Sequence, residues 1–301
     1  MSNNLNFPNL NYFRKVKDSI IDPLGREISD GINWLTLDKS WGSAKFPVVI
    51  SGEGDPVLLL HGFDSCFLEF RRIHPILKKH FKLIIPDLFG FGFAPRNRGY
   101  SYNPENIISN LVDLLKELDF KKNIKLVGAS MGGSVALLLS NKIPNQIEKI
   151  SLLSPAGLFG NPKSLLFPLN QFGAMFLGSS LVRKNLCRQA FAFPDKSVGL
   201  KEEQIASIHT GCPKWRDSLA SFAKSGGFGG NIQYMSNIPT KTICGENDRI
   251  LGLKELQKLK EKEKLNYLNL KNCGHLPHLD LPEITGKILI DFFKNKSIND
   301  Y

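Results

Sequence analysis

The amino-acid sequence predicts a doubly wound α/β domain interrupted by a helical insertion, on the strength of three observations. Short β-rich runs alternate with helical stretches, the runs are nearly continuous in apolar residues, and the alternation stops after Ser154 and resumes only at Thr240. Strands apolar on both faces belong inside a parallel sheet covered on both sides by helices.

The strand-like runs are Phe46 to Ser51, Val57 to His61, Leu83 to Pro86, Ile124 to Gly128 and Ile150 to Leu153. Between them, Pro104 to Leu118 sets Ile107, Ile108, Leu111, Leu114, Leu115 and Leu118 at helical spacing, and Asn103 ahead of Pro104 supplies a cap. Met131 to Ser140 reads as a second helix. After the interruption come a strand (Thr240 to Cys244), a helix (Lys254 to Lys262), a strand (Tyr267 to Leu270) and a terminal helix (Pro282 to Phe293). Residues 1–30 therefore form an N-terminal extension, 31–156 and 237–301 the α/β body, and 157–236 a helical cap. The cap is rich in apolar side chains, among them Leu166, Phe167, Phe172, Phe176 and Phe191. Packing on the body is the default expectation for them, with a pocket between the two layers.

Composition fits one globule: 42% of the 301 residues are hydrophobic and 22% charged. The five cysteines are scattered without a C-x-x-C pair, which argues against a structural zinc site and suits a reducing compartment, so the expected location is cytoplasmic. No stretch of 18 apolar residues is free of charge. The net charge of +11 is dispersed over the chain, as solvated helix faces would be, and does not point to nucleic acid. Phe13, Val16 and Ile20 share a helical face beside Arg14, Lys15 and Lys17. That pattern suits peripheral contact with a membrane or docking on the body, and its shortness favours docking.

The chemistry centres on Gly128-Ala129-Ser130-Met131-Gly132-Gly133, a turn that directly follows an apolar strand and directly precedes a helix. A hydroxyl is a weak nucleophile until a base takes its proton, so it must project from the backbone toward that base, and a sharp turn does this. The helix starting there aims the free N–H of Met131 at developing negative charge. His275, in the loop Asn272 to His278 after the last strand, is the base; His278 competes, but it lies nearer the terminal helix and reads as structural or pocket-lining. Asp248, in Gly245-Glu246-Asn247-Asp248-Arg249, orients the base, with Glu246 as the alternative acid. His61-Gly62-Phe63-Asp64 closes an earlier strand, and its Phe63 N–H is the favoured second oxyanion donor, with Gly62 counted beside it. His61, His74, His80 and His209 read as structural or surface histidines, and Asp87 as a structural aspartate in the turn Pro86 to Gly92.

Together, His61-Gly62, Asp87 to Gly92, the Ser130 turn, Gly245 to Asp248 and Gly274-His275 resemble the alpha/beta hydrolase superfamily, over about Trp34 to Phe293. The resemblance implies an eight-stranded, mostly parallel sheet with a helical cap after the sixth strand. It also implies hydrolysis by a Ser-His-Asp triad of Ser130, His275 and Asp248, with no cofactor and no metal. A serine at the turn argues against members that use an aspartate there, and leaves ester, thioester, lipid and carbon–carbon bond hydrolysis. The turn and the Gly274 to His278 stretch are also similar to hydrolases of phytyl esters. The expected partner is a small hydrophobic ester, cleaved through an acyl-enzyme. The alternatives are a diketone carbon–carbon hydrolase and a non-catalytic ligand receptor on the same fold.

Overall fold

The strands of the computed structural model, which describes residues 7–37, 39–41, 44–97 and 99–295, are β1 (Ile32–Thr36), β2 (Lys45–Ser51), β3 (Pro56–Leu60), β4 (Lys82–Pro86), β5 (Ile124–Ala129), β6 (Ile147–Leu153), β7 (Thr240–Gly245) and β8 (Tyr267–Leu270). They form one sheet in the order β1-β2-β4-β3-β5-β6-β7-β8. β1 and β2 pair antiparallel, as do β2 and β4, and every other neighbour is parallel. β5 and β7 are buried along their whole length, with Lys125 and Lys241 buried among their apolar neighbours.

Thirteen α-helical segments are described: α1 (Pro8–Lys17), α2 (Pro23–Asp30), α3 (His74–Leu77), α4 (Pro104–Glu117), α5 (Met131–Lys142), α6 (Leu169–Leu177), α7 (Ser180–Gln189), α8 (Pro194–Ser197), α9 (Leu200–Ser207), α10 (Trp215–Ser225), α11 (Leu253–Lys260), α12 (Pro277–Asp280) and α13 (Pro282–Phe293). Asn103 caps α4 by accepting from the amide of Asn106 at 2.8 Å. One face of the sheet packs on α4, α5 and α11 through Leu111, Val135 and Leu259. The other packs on α1, α2, α3 and α13 through Phe13, Ile28, Leu77 and Ile288. Phe13 and Ile20, two members of the apolar N-terminal face, are therefore buried against the body.

Two departures from the sequence reading have local causes. β1 has no counterpart in it, because this edge strand alternates burial irregularly and pairs antiparallel instead of lying in the apolar centre. β6 begins three residues earlier than its apolar run, at Ile147, because Lys149 in its middle extends an ammonium to the carbonyl of Phe292 (2.7 Å) and to Asn295 Oδ1 (2.5 Å). A lysine served in this way stays inside a strand.

Helices α6 to α10 fill the interval between β6 and β7. α6 packs on α10, and α7 on α9. The default expectation for the apolar residues here holds for Phe191, which is buried, and fails for α6 and the segment before it, where Leu166, Phe167, Phe172 and Phe176 face outward. Among the described residues no helix is long and apolar enough to cross a membrane.

Candidate active site

Ser130 sits at the turn from β5 into α5 with φ +51° and ψ −118°, a conformation costly for any residue with a Cβ. Its amide donates to the carbonyl of Leu153 at 2.8 Å, so the neighbouring strand holds the strained residue in place. The turn closes only because the flanking residues lack side chains. A Cβ on Gly128 would lie 2.2 Å from the Gly132 carbonyl oxygen, and one on Gly132 would lie 2.0 Å from that of Leu60.

His275 and Asp248 arrive from the ends of β8 and β7. The Ser130 hydroxyl lies 2.9 Å from His275 Nε2, and His275 Nδ1 lies 2.8 Å from Asp248 Oδ2. A carboxylate only accepts, so Asp248 fixes the ring proton on Nδ1 and leaves Nε2 to accept from Ser130 Oγ. Asp248 is fully buried at its side chain. Burial alone would raise its carboxyl, but the hydrogen bonds from His275 and from the amides of Leu251 (2.9 Å) and Ile250 (2.8 Å) outweigh it and hold the group below the ordinary carboxylate range. Glu246, the alternative acid, is exposed to solvent.

The loop after β3 lies against the nucleophile: a Cβ on Gly62 would be 3.4 Å from Ser130 Cβ. The Gly62 N–H donates to both oxygens of Glu69, at 3.2 Å each, so Gly62 contributes close approach and no free donor. Among the described residues neither the Phe63 nor the Met131 amide has a hydrogen-bond acceptor. His61 is buried, with Nδ1 donating to the Gly62 carbonyl (2.8 Å) and Nε2 accepting from the Leu88 amide (3.0 Å). Burial pushes its ring down to about 4, so it is a neutral brace of this loop. Asp87 is likewise structural, accepting from the amides of Phe67 and Phe93 at 2.6 Å each. His278 is buried under Phe70, with Nε2 3.4 Å from Glu69 Oε1, and stands behind the loop instead of in the pocket.

Three carboxylates that the sequence reading did not single out organise the site. Glu69 holds Gly62. Asp64, the residue after Phe63, accepts from Arg183 Nη1 of α7 (2.6 Å), from Trp215 Nε1 of α10 (2.8 Å) and pairs with His209 Nε2 (3.1 Å). Burial would raise the Asp64 carboxyl, yet His209 and Arg183 together bring it down to about 2. Asp280 accepts from the amide of Gly274 (2.6 Å), beside His275, and from that of Ala192 (2.8 Å) in the insertion. For Glu69 a sequence signal existed, a lone acid within the apolar run Cys66-Phe67-Leu68-Glu69-Phe70.

Ser130 and His275 open onto a cavity of about 270 Å³ between the body and helices α7 and α9. Its walls are largely apolar, with Leu177, Leu186, Phe191, Ile205, Leu276 and Leu279. The two guanidinium groups lining it are already paired. Arg71 contacts Asp22 (2.5 Å) and Glu202 (3.3 Å), and Arg183 contacts Asp64. Among the described residues no group of three or more His, Cys, Asp or Glu side chains is placed to hold a metal ion.

Residues 55–282 match a family model described as the alpha/beta hydrolase fold. The alpha/beta hydrolase domain-containing protein VTE7 of Arabidopsis thaliana is 27% identical over 95% of this chain and 90% of its own length. A 2-hydroxy-6-oxo-2,4-heptadienoate hydrolase of Pseudomonas putida is 26% identical over 80% of this chain and 90% of its own. Lipase 3 of a Moraxella species is 35% identical over 77% of this chain and 75% of its own.

Proposed function

The chain belongs to the alpha/beta hydrolase fold family, and from that premise we propose that it is a serine hydrolase of neutral, hydrophobic carboxylic esters, acting through an acyl-enzyme on Ser130. The observation that carries this reading is the hydrogen-bonded line from Asp248 through His275 to Ser130, ending in an apolar cavity.

In the proposed reaction, His275 Nε2 takes the Ser130 proton as Oγ attacks the ester carbonyl carbon. The resulting oxyanion accepts from the Phe63 and Met131 amides, which have no other acceptor among the described residues to release first. His275 then donates its Nε2 proton to the alkoxide as the carbon–oxygen bond breaks, and the alcohol leaves. Water, deprotonated by His275, attacks the acyl carbon; collapse of the second oxyanion frees the acid and returns the proton to Ser130. Asp248 stays ionised throughout and stabilises the transient imidazolium.

The charge pattern of the cavity supports a neutral substrate. Both guanidinium groups are committed to carboxylates, and Asp64, Glu69 and Glu202 outnumber them along the wall. A carboxylate-bearing substrate would have to break one of these pairs to find a counter-charge. The similarity to the heptadienoate hydrolase favours carbon–carbon cleavage as a second reading, and this absence of an uncommitted cation weighs against it.

A fluorophosphonate probe tests the nucleophile: it should label Ser130 and fail to label Ser130→Ala and His275→Ala. Turnover across a library of short, long-chain and phytyl esters should fall by a factor on the order of 10⁴–10⁶ in Ser130→Ala. A folded wild type that neither reacts with the probe nor turns over any ester would overturn the proposal. Turnover of a dienol diketone with no ester hydrolysis would transfer it to the second reading.

A further inference from the structure

We propose that the outer face of α6, together with the segment before it, is a docking surface for anionic lipid bilayers. Leu166, Phe167, Leu169, Phe172, Met175 and Phe176 are each more than half exposed, Phe167 to 81%. Leu169, Phe172 and Phe176 recur at helical spacing on the side of α6 opposite Asn170 and Ala174, which are buried against the neighbouring α10. Six large apolar side chains gathered on one outward face form a patch and not the scattered single residues that any surface carries.

Charge decides between the candidate occupants. From Lys149 through Pro194 the sequence contains no Asp or Glu; of the cations after Lys149 within it, Arg183, Lys184 and Arg188 pair with Asp64, Glu203 and Asp195, and Lys163 is exposed beside the patch. The Leu165 amide donates to the Ala223 carbonyl at 2.9 Å, which brings the chain two residues after Lys163 against the residue before Lys224, next to the start of the patch. Both lysines are exposed, and among the described residues neither has an ion-pair partner. A second copy of this chain, itself carrying +11, would bring like charge against this surface. A bilayer with anionic headgroups offers the complement to both parts: headgroups for the lysines and acyl chains for the aromatic and aliphatic side chains.

The position of the patch gives docking a use. Leu177, the last residue of α6, lines the cavity that holds Ser130, so the exposed face leads to the site. At about 270 Å³ that cavity lies below the ~300–1,000 Å³ typical of drug-sized ligands, so a long apolar substrate would extend past its mouth. This last point rests on the ester reading; the binding itself does not.

Flotation of the full chain with phosphatidylcholine vesicles, and with vesicles containing phosphatidylglycerol, tests the proposal without any turnover. Binding is expected to the phosphatidylglycerol vesicles and to weaken as salt is raised. The triple variant F167D/F172D/F176D should lose at least about tenfold in partitioning. The exposed control Leu253→Asp, on α11 of the body, should bind as the wild type does. Lys163→Gln with Lys224→Gln should weaken binding about 25-fold, at about fivefold per cation. Melting curves of each variant establish that it is folded. Absence of binding by the folded wild type, or equal binding by the triple variant, overturns the proposal. A concentration-dependent dimer abolished by the triple variant, with no vesicle binding, overturns it in favour of a second copy.

Discussion

Asp64→Asn isolates the link between the loop that carries Phe63 and the helical insertion. Asn is nearly isosteric and tolerates the left-handed backbone at this position, φ +47°, so the change removes the charge and puts an NH2 donor where Oδ2 accepts from Arg183. Its oxygen still accepts from Trp215, but Arg183, 8% exposed at its side chain, loses its counter-ion. Two estimates bound the cost. Holding the carboxyl down at about 2 corresponds to about 2 kcal/mol of native stabilisation. Breaking a buried pair from one side costs roughly 3–5 kcal/mol. At roughly 2 °C per kcal/mol for a chain of this size, the melting temperature should fall by about 4–10 °C. The sign of the pH dependence follows from the depressed carboxyl: the gap between wild type and variant is fully present above about pH 4 and closes as pH falls toward 2. Adding Arg183→Met should recover part of the loss, because the uncompensated charge is then gone. Thermal melts of the four proteins of this cycle suffice. Melting of Asp64→Asn indistinguishable from wild type at neutral pH, or a double variant no more stable than Asp64→Asn, would refute the reasoning.

Three further outcomes follow from the same geometry. Asp248→Asn keeps an oxygen for the amides of Ile250 and Leu251 but no longer fixes the proton on His275 Nδ1, so kcat for an ester substrate should fall by about 10⁴ with KM little changed. Steady-state kinetics that show a loss in KM instead would remove Asp248 from the proposed role. Glu69→Gln leaves the Gly62 amide with a weaker acceptor and should lower kcat by about 10- to 100-fold at an unchanged fluorophosphonate stoichiometry. Gly132→Ala forces a Cβ to 2.0 Å from the Leu60 oxygen and should abolish folding at 37 °C, whereas Gly173→Ala, facing open space within α6, should stabilise by roughly 0.5–1 kcal/mol; circular dichroism reads both.

The parallel part of the sheet was legible because its inner strands are buried and carry short apolar runs, such as Leu126 to Ala129 and Ile150 to Leu153, even where a lysine enters the strand. β1 was not, since an antiparallel edge strand needs no such run. Ser130, His275 and Asp248 were legible for a related reason: each lies in a loop directly after a strand, and order along the chain already constrains which can meet. Glu69 stood out as a lone acid in an apolar run but was not singled out, whereas Asp64 escaped because its significance lies in its partners. His209 and Trp215 stand 145 and 151 residues from Asp64 along the chain, and no local pattern encodes a pairing at that separation. The outward face of α6 escaped for the opposite reason. Apolar periodicity states that a helix has a greasy side, and only the packed structure states what covers it.

The proposed chemistry places an unusual demand on one short loop, and the structure meets it from three directions. An oxyanion donor is useful only if its N–H is aimed before the negative charge appears. Phe63 lies between Gly62, tied to Glu69, and Asp64, tied to Arg183 and Trp215, so both neighbours of the donor are anchored by buried carboxylates. His61 secures the entry to the loop as a neutral ring, and burial keeps it neutral well below pH 7. Leaving Glu69 and Asp64 ionised in the interior carries a desolvation cost, and their hydrogen bonds return that cost only while the loop holds its shape. The same bonds therefore couple the position of Phe63 to the seating of α7 and α10. Loosening the insertion from the body should be felt first as a misplaced oxyanion donor, before any change at Ser130 or His275.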